Sequence, residues 1–473
     1  MTSNGNEIKF GTDGWRGLLA RDFTFENVRR VAQATADYIK MKGAKPGESR
    51  NKPVIIGYDR RFLSDRFALT VAEVLRASKI DAVLMDEPMP TPAVSLMTLK
   101  KFSLGVMITA SHNSHLYNGL KIKTEGRAAP EHITAELETL ATKAKPLQAR
   151  EIQIPSISFR KTYLGYLRSR INVKAMLSRL ARPVVIDCMH GCASALAGEL
   201  LPSKKVIVIR TARDPMFGGI NPEPVEKNLE ALAKAVKKEK AAAGIALDGD
   251  ADRVGLVDDA GHYMTPCQVF PILLEHLKGK GALKGKIVQA VSLGYLSQRI
   301  AAAAGLEFEE VPVGFKFIAE KMLAGNVAAG AEESGGYSWK GNLPERDGLL
   351  TALLVMEMLT STSKSLSQLY AAVAEKYGRS FFTRKDFALA KPVADKTVFA
   401  EKLRKKIPKN IQGRPVHKAL TMDGLKIILD NGHWLLMRPS GTEPLLRTYA
   451  ETDSPVKTKE LLELAAKMTA QYF

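Results

Sequence analysis

Met107-Ile-Thr-Ala-Ser-His-Asn113 carries the chain from an apolar run into a small polar loop. Leu104, Val106 and Ile108 read as one buried strand, so Ser111 falls where a strand end opens onto a binding crevice. A serine hydroxyl is a poor nucleophile on its own and needs charged neighbours before it accepts or donates a group. The sequence upstream predicts an α/β setting for it: a helix from Phe25 to Lys40, a strand from Val54 to Tyr58, a helix from Ser64 to Ser78 and a short strand from Asp81 to Leu84. Alternation of this kind makes a mostly parallel sheet with helices on its faces.

Downstream the pattern restarts twice. Pro183 to Asp187 reads as a strand, Ala193 to Leu201 as a helix, Lys205 to Ile209 as a strand, Val225 to Lys238 as a helix and Gly244 to Leu247 as a strand. Lys286 to Val291, a following helix and Val327 to Gly330 repeat the scheme. Each unit runs an apolar strand into a loop of functional character: Ser111, then Asp248 to Arg253, then Glu332 to Gly336. From about residue 380 the character changes. Leu425 to Leu429 and Trp434 to Met437 flank the hairpin signal Asp430-Asn-Gly-His433, and a strand from Leu445 to Ala450 and a helix from Val456 to Gln471 complete a small α+β domain.

At 473 residues the chain exceeds what one hydrophobic core organises. Met1 to Glu7 lacks the basic and apolar regions of a signal peptide, and no apolar run is long enough to span a bilayer, so a cytoplasmic enzyme is expected. Cys188, Cys192 and Cys267 form neither a disulfide framework nor a zinc pattern and are expected to be reduced and structural. The net charge of +19 invites a nucleic-acid reading. Yet Arg29-Arg30, Arg60-Arg61, Lys100-Lys101, Lys237-Lys238 and the run from Lys402 to Lys409 are scattered, without the interleaved aromatics of a base-stacking surface. The expected partner is a small anionic metabolite and not nucleic acid or a membrane, and the expected assembly is a monomer or homodimer.

Asp248-Gly-Asp-Ala-Asp-Arg253 sets a carboxylate at every second position, and in an extended loop alternate side chains point the same way. Three converging anions repel unless a cation joins them, and oxygen-only ligation suits Mg²⁺. The same spacing also fits the strand-end Asp-x-Asp of aspartyl-phosphate phosphatases, with Asp248 as nucleophile. Glu332-Glu-Ser-Gly-Gly336 offers a carboxylate able to hold two sugar hydroxyls, or a plain capping turn. Arg438-Pro-Ser-Gly-Thr-Glu-Pro444 combines a guanidinium, hydroxyls and a glycine, a set that fits a phosphate dianion with Arg447 nearby, or an ordinary turn. In Phe10-Gly-Thr-Asp-Gly-Trp-Arg-Gly17, three glycines surround Arg16, and the segment reads either as a turn around a cation or as a turn before the first helix.

Taken in order with Tyr117-Asn-Gly-Leu-Lys121 and Pro312-Val-Gly-Phe-Lys316, these motifs resemble the α-D-phosphohexomutases, the superfamily of phosphoglucomutase and phosphomannomutase, over nearly the whole chain. The resemblance implies four domains around a central cleft: α/β domains with mixed sheets over 1–152, 153–262 and 263–379, and a smaller α+β domain over 380–473. It implies that Ser111 is a phosphoserine and that Asp248, Asp250, Asp252 and a phosphoserine oxygen hold Mg²⁺. It gives Arg253 to the moving phosphoryl group, Lys316, Glu332 and Ser334 to the sugar phosphate, and Arg438, Ser440, Gly441, Thr442 and Arg447 to its idle phosphate. Lys121 is the expected general acid/base, because a lysine near other cations loses its proton readily. Arg16 is expected to stabilise the transition state, and His112 to position groups beside Ser111.

The implied reaction moves a phosphoryl group between the 1- and 6-positions of a hexose phosphate, with glucose 1,6-bisphosphate as intermediate and activator. Gly336 and Phe315 stand where family members of dual specificity carry histidines, and Glu332-Glu333 resembles the glucose-selective loop. Glucose phosphates are therefore expected, with mannose or glucosamine phosphates as alternatives. Outside the resemblance stand an aspartyl-phosphate-type sugar phosphatase and a catalytically silent binding protein.

Overall fold

Leu104–Ile108 is a strand buried along its whole length, and its neighbours explain why. It pairs in parallel with Val54–Tyr58, which pairs in parallel with Ala82–Met85. Val106 and Ile108 then pack into one core with Val28, Val31, Phe67 and Val71 from the helices Phe25–Lys42 and Ser64–Ala77. Each such aliphatic side chain contributes about 1.5–3 kcal/mol on burial. The computed structural model describes residues 8–42, 52–146, 153–440 and 444–472. It forms two compact units, Met1–Met264 with Ser334–Leu366 and Thr265–Glu333 with Ser367–Phe473.

In the first unit the Ser111 sheet is parallel on one side only. Leu104–Ile108 also pairs with Tyr117–Thr124, which runs antiparallel to it and to Gly14–Leu18. The segment from Ile108 to Tyr117 is too short for a parallel crossover, which takes about a dozen residues or more, so the chain turns back on itself. A second sheet runs in the order Val206–Ile209, Val184–Asp187, Ala243–Leu247, Val254–Val257, Tyr263–Met264. Its first three strands are parallel and its last two antiparallel. The helix expected from Val225 starts at Glu230, after a 3-10 turn at Glu226–Asn228. There the Asn228 amide donates to the Glu223 carbonyl and competes with helix formation.

In the second unit Lys286–Ala290 lies parallel to both Phe308–Val311 and Val327–Ala331. The C-terminal sheet is antiparallel throughout, in the order Phe381–Ala388, Leu445–Thr452, Trp434–Pro439, Leu425–Leu429, Arg414–Leu420, Asn410–Ile411. Leu461, Leu462 and Ala465 of the helix Pro455–Thr469 close its core against Leu435, Met437 and Leu446. All three cysteines are buried and free, and burial pushes the Cys188 thiol up to about 12. Among the described residues no helix is long and apolar enough to cross a membrane.

Candidate active site

Ser111 ends its strand in the left-handed region, at φ 53°, a conformation that costs a non-glycine residue on the order of 1 kcal/mol. A buried guanidinium holds it there. Arg61 Nη2 donates to the carbonyls of Ser111 and Asn113, both at 2.6 Å, and Nη1 donates to those of Ser114 at 2.7 Å and Tyr117 at 3.1 Å. Asp59 pairs with Arg61 at 3.1 Å and accepts from Thr109 Oγ1 at 2.6 Å, while Thr109 Oγ1 accepts from the Ser111 N–H at 2.8 Å. Arg61 reads from sequence only as one of a basic pair. Its signal is an acid and a base set directly after the buried strand Val54–Tyr58, which lies beside the serine strand.

The Ser111 hydroxyl donates to Asp248 Oδ2 at 2.8 Å. Asp248 Oδ1 accepts the N–H groups of Asp252 at 2.9 Å and Arg253 at 3.1 Å. The three aspartates therefore converge by a mechanism other than the expected one. The segment is a tight turn between antiparallel strands, not an extended loop, with Ala251 left-handed at φ 54° and its N–H donating to the Asp248 carbonyl at 3.0 Å.

One ligand atom from each of Asp248, Asp250 and Asp252 lies within 4.8 Å of the others, and all three residues are buried. Asp250 Oδ1 and Asp252 Oδ1 are buried without a hydrogen-bond partner among the described residues. Burial, with Asp250 and Asp252 beside it, drives the Asp248 carboxyl well above the usual carboxylate range. Open, mutually repelling carboxylate oxygens are a set of hard donors that fits Mg²⁺.

Lys121 meets different company from that expected. Its ammonium lies 2.8 Å from Asp13, 2.8 Å from Asp250 and 3.0 Å from Asp252. Burial alone would lower it, but the three carboxylates outweigh burial and hold Lys121 protonated, well above its ordinary value. Neighbouring cations therefore do not free its proton. Arg346, which the sequence reading missed, completes the network by donating to Asp13 at 2.6 Å and Asp252 at 2.8 Å. A Cβ at Gly336 would fall 2.1 Å from Arg346 Cδ, so that glycine leaves room for the arginine. Deeper still, Lys123 pairs with Glu345 at 2.7 Å.

Around the serine, Arg16 donates to Asn113 Oδ1 at 2.7 Å from the strand Gly14–Leu18. The segment is a tight hairpin, with Phe10–Gly11 paired antiparallel to Gly14–Leu18 and Arg16 within the second strand, and not a turn before the helix. Half-buried His112 is pushed well below the usual imidazole range by burial and by Arg253, Arg16, Lys121 and Arg61, so it is neutral. Arg253 Nε stands 3.7 Å from Asp252 Oδ1.

The structure thus brings Arg16, Ser111, His112, Lys121, Asp248, Asp250, Asp252 and Arg253 together in the first unit, to which Ser334 also belongs. Lys316, Glu332, Arg438, Ser440 and Arg447 belong to the second. Lys316 lies in the first turn of the helix Phe315–Ala324, and Glu332 is buried. Glu333 pairs with Arg384 at 3.5 Å, and Arg384 forks onto Asp386 at 2.9 and 2.7 Å. Arg438 sits directly opposite Arg447 across paired strands, a placement of like charges that an anion would relieve. The Ser440 N–H donates to the Leu445 carbonyl at 2.7 Å. Gly441 and Thr442 lie outside the described residues.

A serine hydroxyl bonded to one aspartate of a buried triad, with a lysine held by the other two, is an arrangement suited to phosphoryl transfer. Profiles of the phosphoglucomutase/phosphomannomutase family match in sequence: alpha/beta/alpha domain I over residues 7–148, domain II over 161–261, domain III over 265–377 and the C-terminal domain over 392–468. A phosphoglucomutase/phosphomannomutase of Thermococcus kodakarensis is 30% identical, covering 97% of this chain and 98% of its own. A phosphoglucosamine mutase of Carboxydothermus hydrogenoformans is also 30% identical, covering 96% and 97%. A solved structure from Thermus thermophilus, provisionally named a phosphomannomutase, is 31% identical with a TM-score of 0.85, covering 98% of this chain and 99% of its own. The chain belongs to the phosphoglucomutase/phosphomannomutase family, the α-D-phosphohexomutases, and is a phosphohexomutase, an isomerase of the phosphotransferase kind.

Proposed function

We propose that the protein interconverts glucose 1-phosphate and glucose 6-phosphate through a phosphorylated Ser111, with glucose 1,6-bisphosphate as intermediate and activator. The observation that carries this reading is the buried Ser111 hydroxyl, 2.8 Å from Asp248 within the aspartate triad. In the first half-reaction a sugar hydroxyl oxygen attacks phosphorus and the P–Oγ bond to Ser111 breaks. In the second, the bisphosphate presents its other phosphate, Ser111 Oγ attacks that phosphorus, and the P–O bond to the sugar breaks, releasing the isomeric monophosphate. Mg²⁺ held by Asp248, Asp250, Asp252 and an oxygen of phosphorylated Ser111 would supply positive charge facing the moving group.

Arg16 and Arg253 bring fixed positive charge to the same place. We assign general acid/base work to Lys121. Its three carboxylate partners keep it charged, so it enters each half-reaction as the acid that gives a proton to the departing oxygen, and it recovers the proton that the attacking hydroxyl loses. Neutral His112 positions the serine loop. Glu332 and Ser334 are assigned to the sugar hydroxyls, and Lys316, Arg438, Ser440, Gly441, Thr442 and Arg447 to the phosphate idle in each half-reaction. The phosphatase alternative makes Asp248 the nucleophile, whereas here its Oδ2 accepts the Ser111 hydroxyl and its Oδ1 two backbone N–H groups, an arrangement that presents the serine beside the triad.

The choice of glucose rests on Glu332-Glu333, Gly336 and Phe315. A second reading is favoured by the names of the relatives, which include phosphoglucosamine mutases as well as a phosphoglucomutase/phosphomannomutase. A coupled assay for glucose 6-phosphate, with Mg²⁺ and a trace of glucose 1,6-bisphosphate, tests the proposal on the parent and Ser111→Ala. Mannose 1-phosphate and glucosamine 1-phosphate run in parallel. Turnover that needs Ser111 and Mg²⁺ and is fastest with glucose is the expected result; preference for either other sugar overturns the glucose assignment.

A further inference from the structure

Asp423 and Gly424 lie in the turn that joins the strands Arg414–Leu420 and Leu425–Leu429. Gly424 has φ 109°, and a Cβ there would fall 2.3 Å from the Met437 carbonyl oxygen and 2.9 Å from Arg438 Cα. The turn therefore rests against the backbone that carries Arg438, at a distance only glycine allows. Asp423, 9% exposed, uses this closeness. Its Oδ2 accepts from Arg438 Nε at 2.6 Å and from the Val313 N–H at 3.3 Å, and its Oδ1 accepts from Lys396 Nζ at 2.9 Å. Val313 belongs to Pro312-Val-Gly-Phe-Lys316, so a single carboxylate ties the backbone of the Lys316 segment to the side chain of Arg438.

The arrangement also answers an electrostatic problem. Arg438 faces Arg447 across the strand pair, and in the absence of an anion the two guanidiniums repel. The Asp423 charge offsets that repulsion from one side, while Lys396 keeps the cluster positive overall. An arginine fixed along its Nε edge has lost its rotamer freedom before a phosphate arrives, which is preorganisation in the ordinary sense.

We propose that Asp423 is a positioning residue that locks Arg438 and the Val313–Lys316 segment into one phosphate-gripping unit. The proposal rests on the assignment of Arg438 and Lys316 to substrate binding. The test is steady-state kinetics with glucose 1-phosphate on the full-length parent, Asp423→Asn, Arg438→Met and the double variant, with a thermal melt of each. D423N keeps the side-chain volume and removes the charge. Its KM is expected to rise about tenfold, equivalent to about 1.4 kcal/mol, with kcat within about twofold of the parent. R438M is expected to raise KM further, and the double variant no further than R438M alone, because Asp423 acts through the arginine. An unchanged KM in D423N, or effects that multiply in the double variant, overturns the proposal. A normal KM in R438M overturns the phosphate-loop assignment itself, and the proposal with it. If D423N does not fold, Asp423→Glu, which keeps the charge but displaces it, takes the same kinetic test with the same outcomes.

Discussion

The Ser111 region and the Arg438 region hold their charges in opposite ways. Around Ser111 a buried network matches cation to anion: Arg61 on Asp59, Lys121 on three aspartates, Arg346 on two, Lys123 on Glu345. Around Arg438 a single buried carboxylate, Asp423, answers two cations, Arg438 at 2.6 Å and Lys396 at 2.9 Å, so positive charge is in excess. Arg384 is 37% exposed in its side chain, and two arginines face each other across a strand pair. A buried network fixes the geometry of reacting atoms in advance, and breaking one of its pairs strands a charge. A cluster whose positive charge exceeds its negative is instead a place for an anion to bind and leave.

The sharpest way to break this contrast is Ser111→Ala. It removes the atom the chemistry uses, and the coupled assay is expected to show at least about a 10⁴-fold loss in kcat with the melting temperature nearly unchanged. Arg61→Met comes next and acts through stability. It leaves four loop carbonyls and the Asp59 carboxylate unanswered in the interior, and urea denaturation is expected to show a loss of about 3–5 kcal/mol.

A third test reads a buried acid by its pH dependence. Asp347 caps the helix Gly348–Thr362, accepting from the Leu350 N–H at 2.9 Å and the Tyr163 hydroxyl at 2.9 Å. Burial, only partly opposed by those hydrogen bonds, pushes its carboxyl up to about 7. A carboxyl raised on folding favours the native state fully below its unfolded value near 4, and that contribution is lost as pH rises through 7. Asp347→Asn is therefore expected to gain on the parent between pH 5 and pH 7, by up to about 1.4 kcal/mol per pH unit, in parallel denaturant titrations. The smallest effect belongs to the second region. Arg384→Met removes a partly exposed guanidinium from Asp386 and Glu333 and is expected to cost about 1 kcal/mol, against the large loss from Arg61.

Much of this site was legible in the sequence, because a strand ending in a small polar loop leaves a local signature. Ser111 and the alternating aspartates are found by local pattern alone. The geometry that makes them converge was not, since the turn depends on a left-handed Ala251 that its sequence neighbours do not announce. Nor were the partners. Arg61, Asp13 and Arg346 reach their positions through sheet pairing and long-range packing, and Lys121 acquired its carboxylates in the same way. The strand Phe381–Ala388 escaped for another reason. It forms the edge of its sheet, with the exposed run Thr383 to Asp386 at its centre, so no alternation of apolar side chains marks it.

Gly336 and Arg346 are coupled through the space they share. With the arginine's aliphatic stem lying where a side chain at position 336 would begin, the two positions are not free to drift independently. A side chain at 336 would push the stem of Arg346 aside and disturb its grip on Asp13 and Asp252. A substitution at either position therefore acts on the other and on the aspartate turn together.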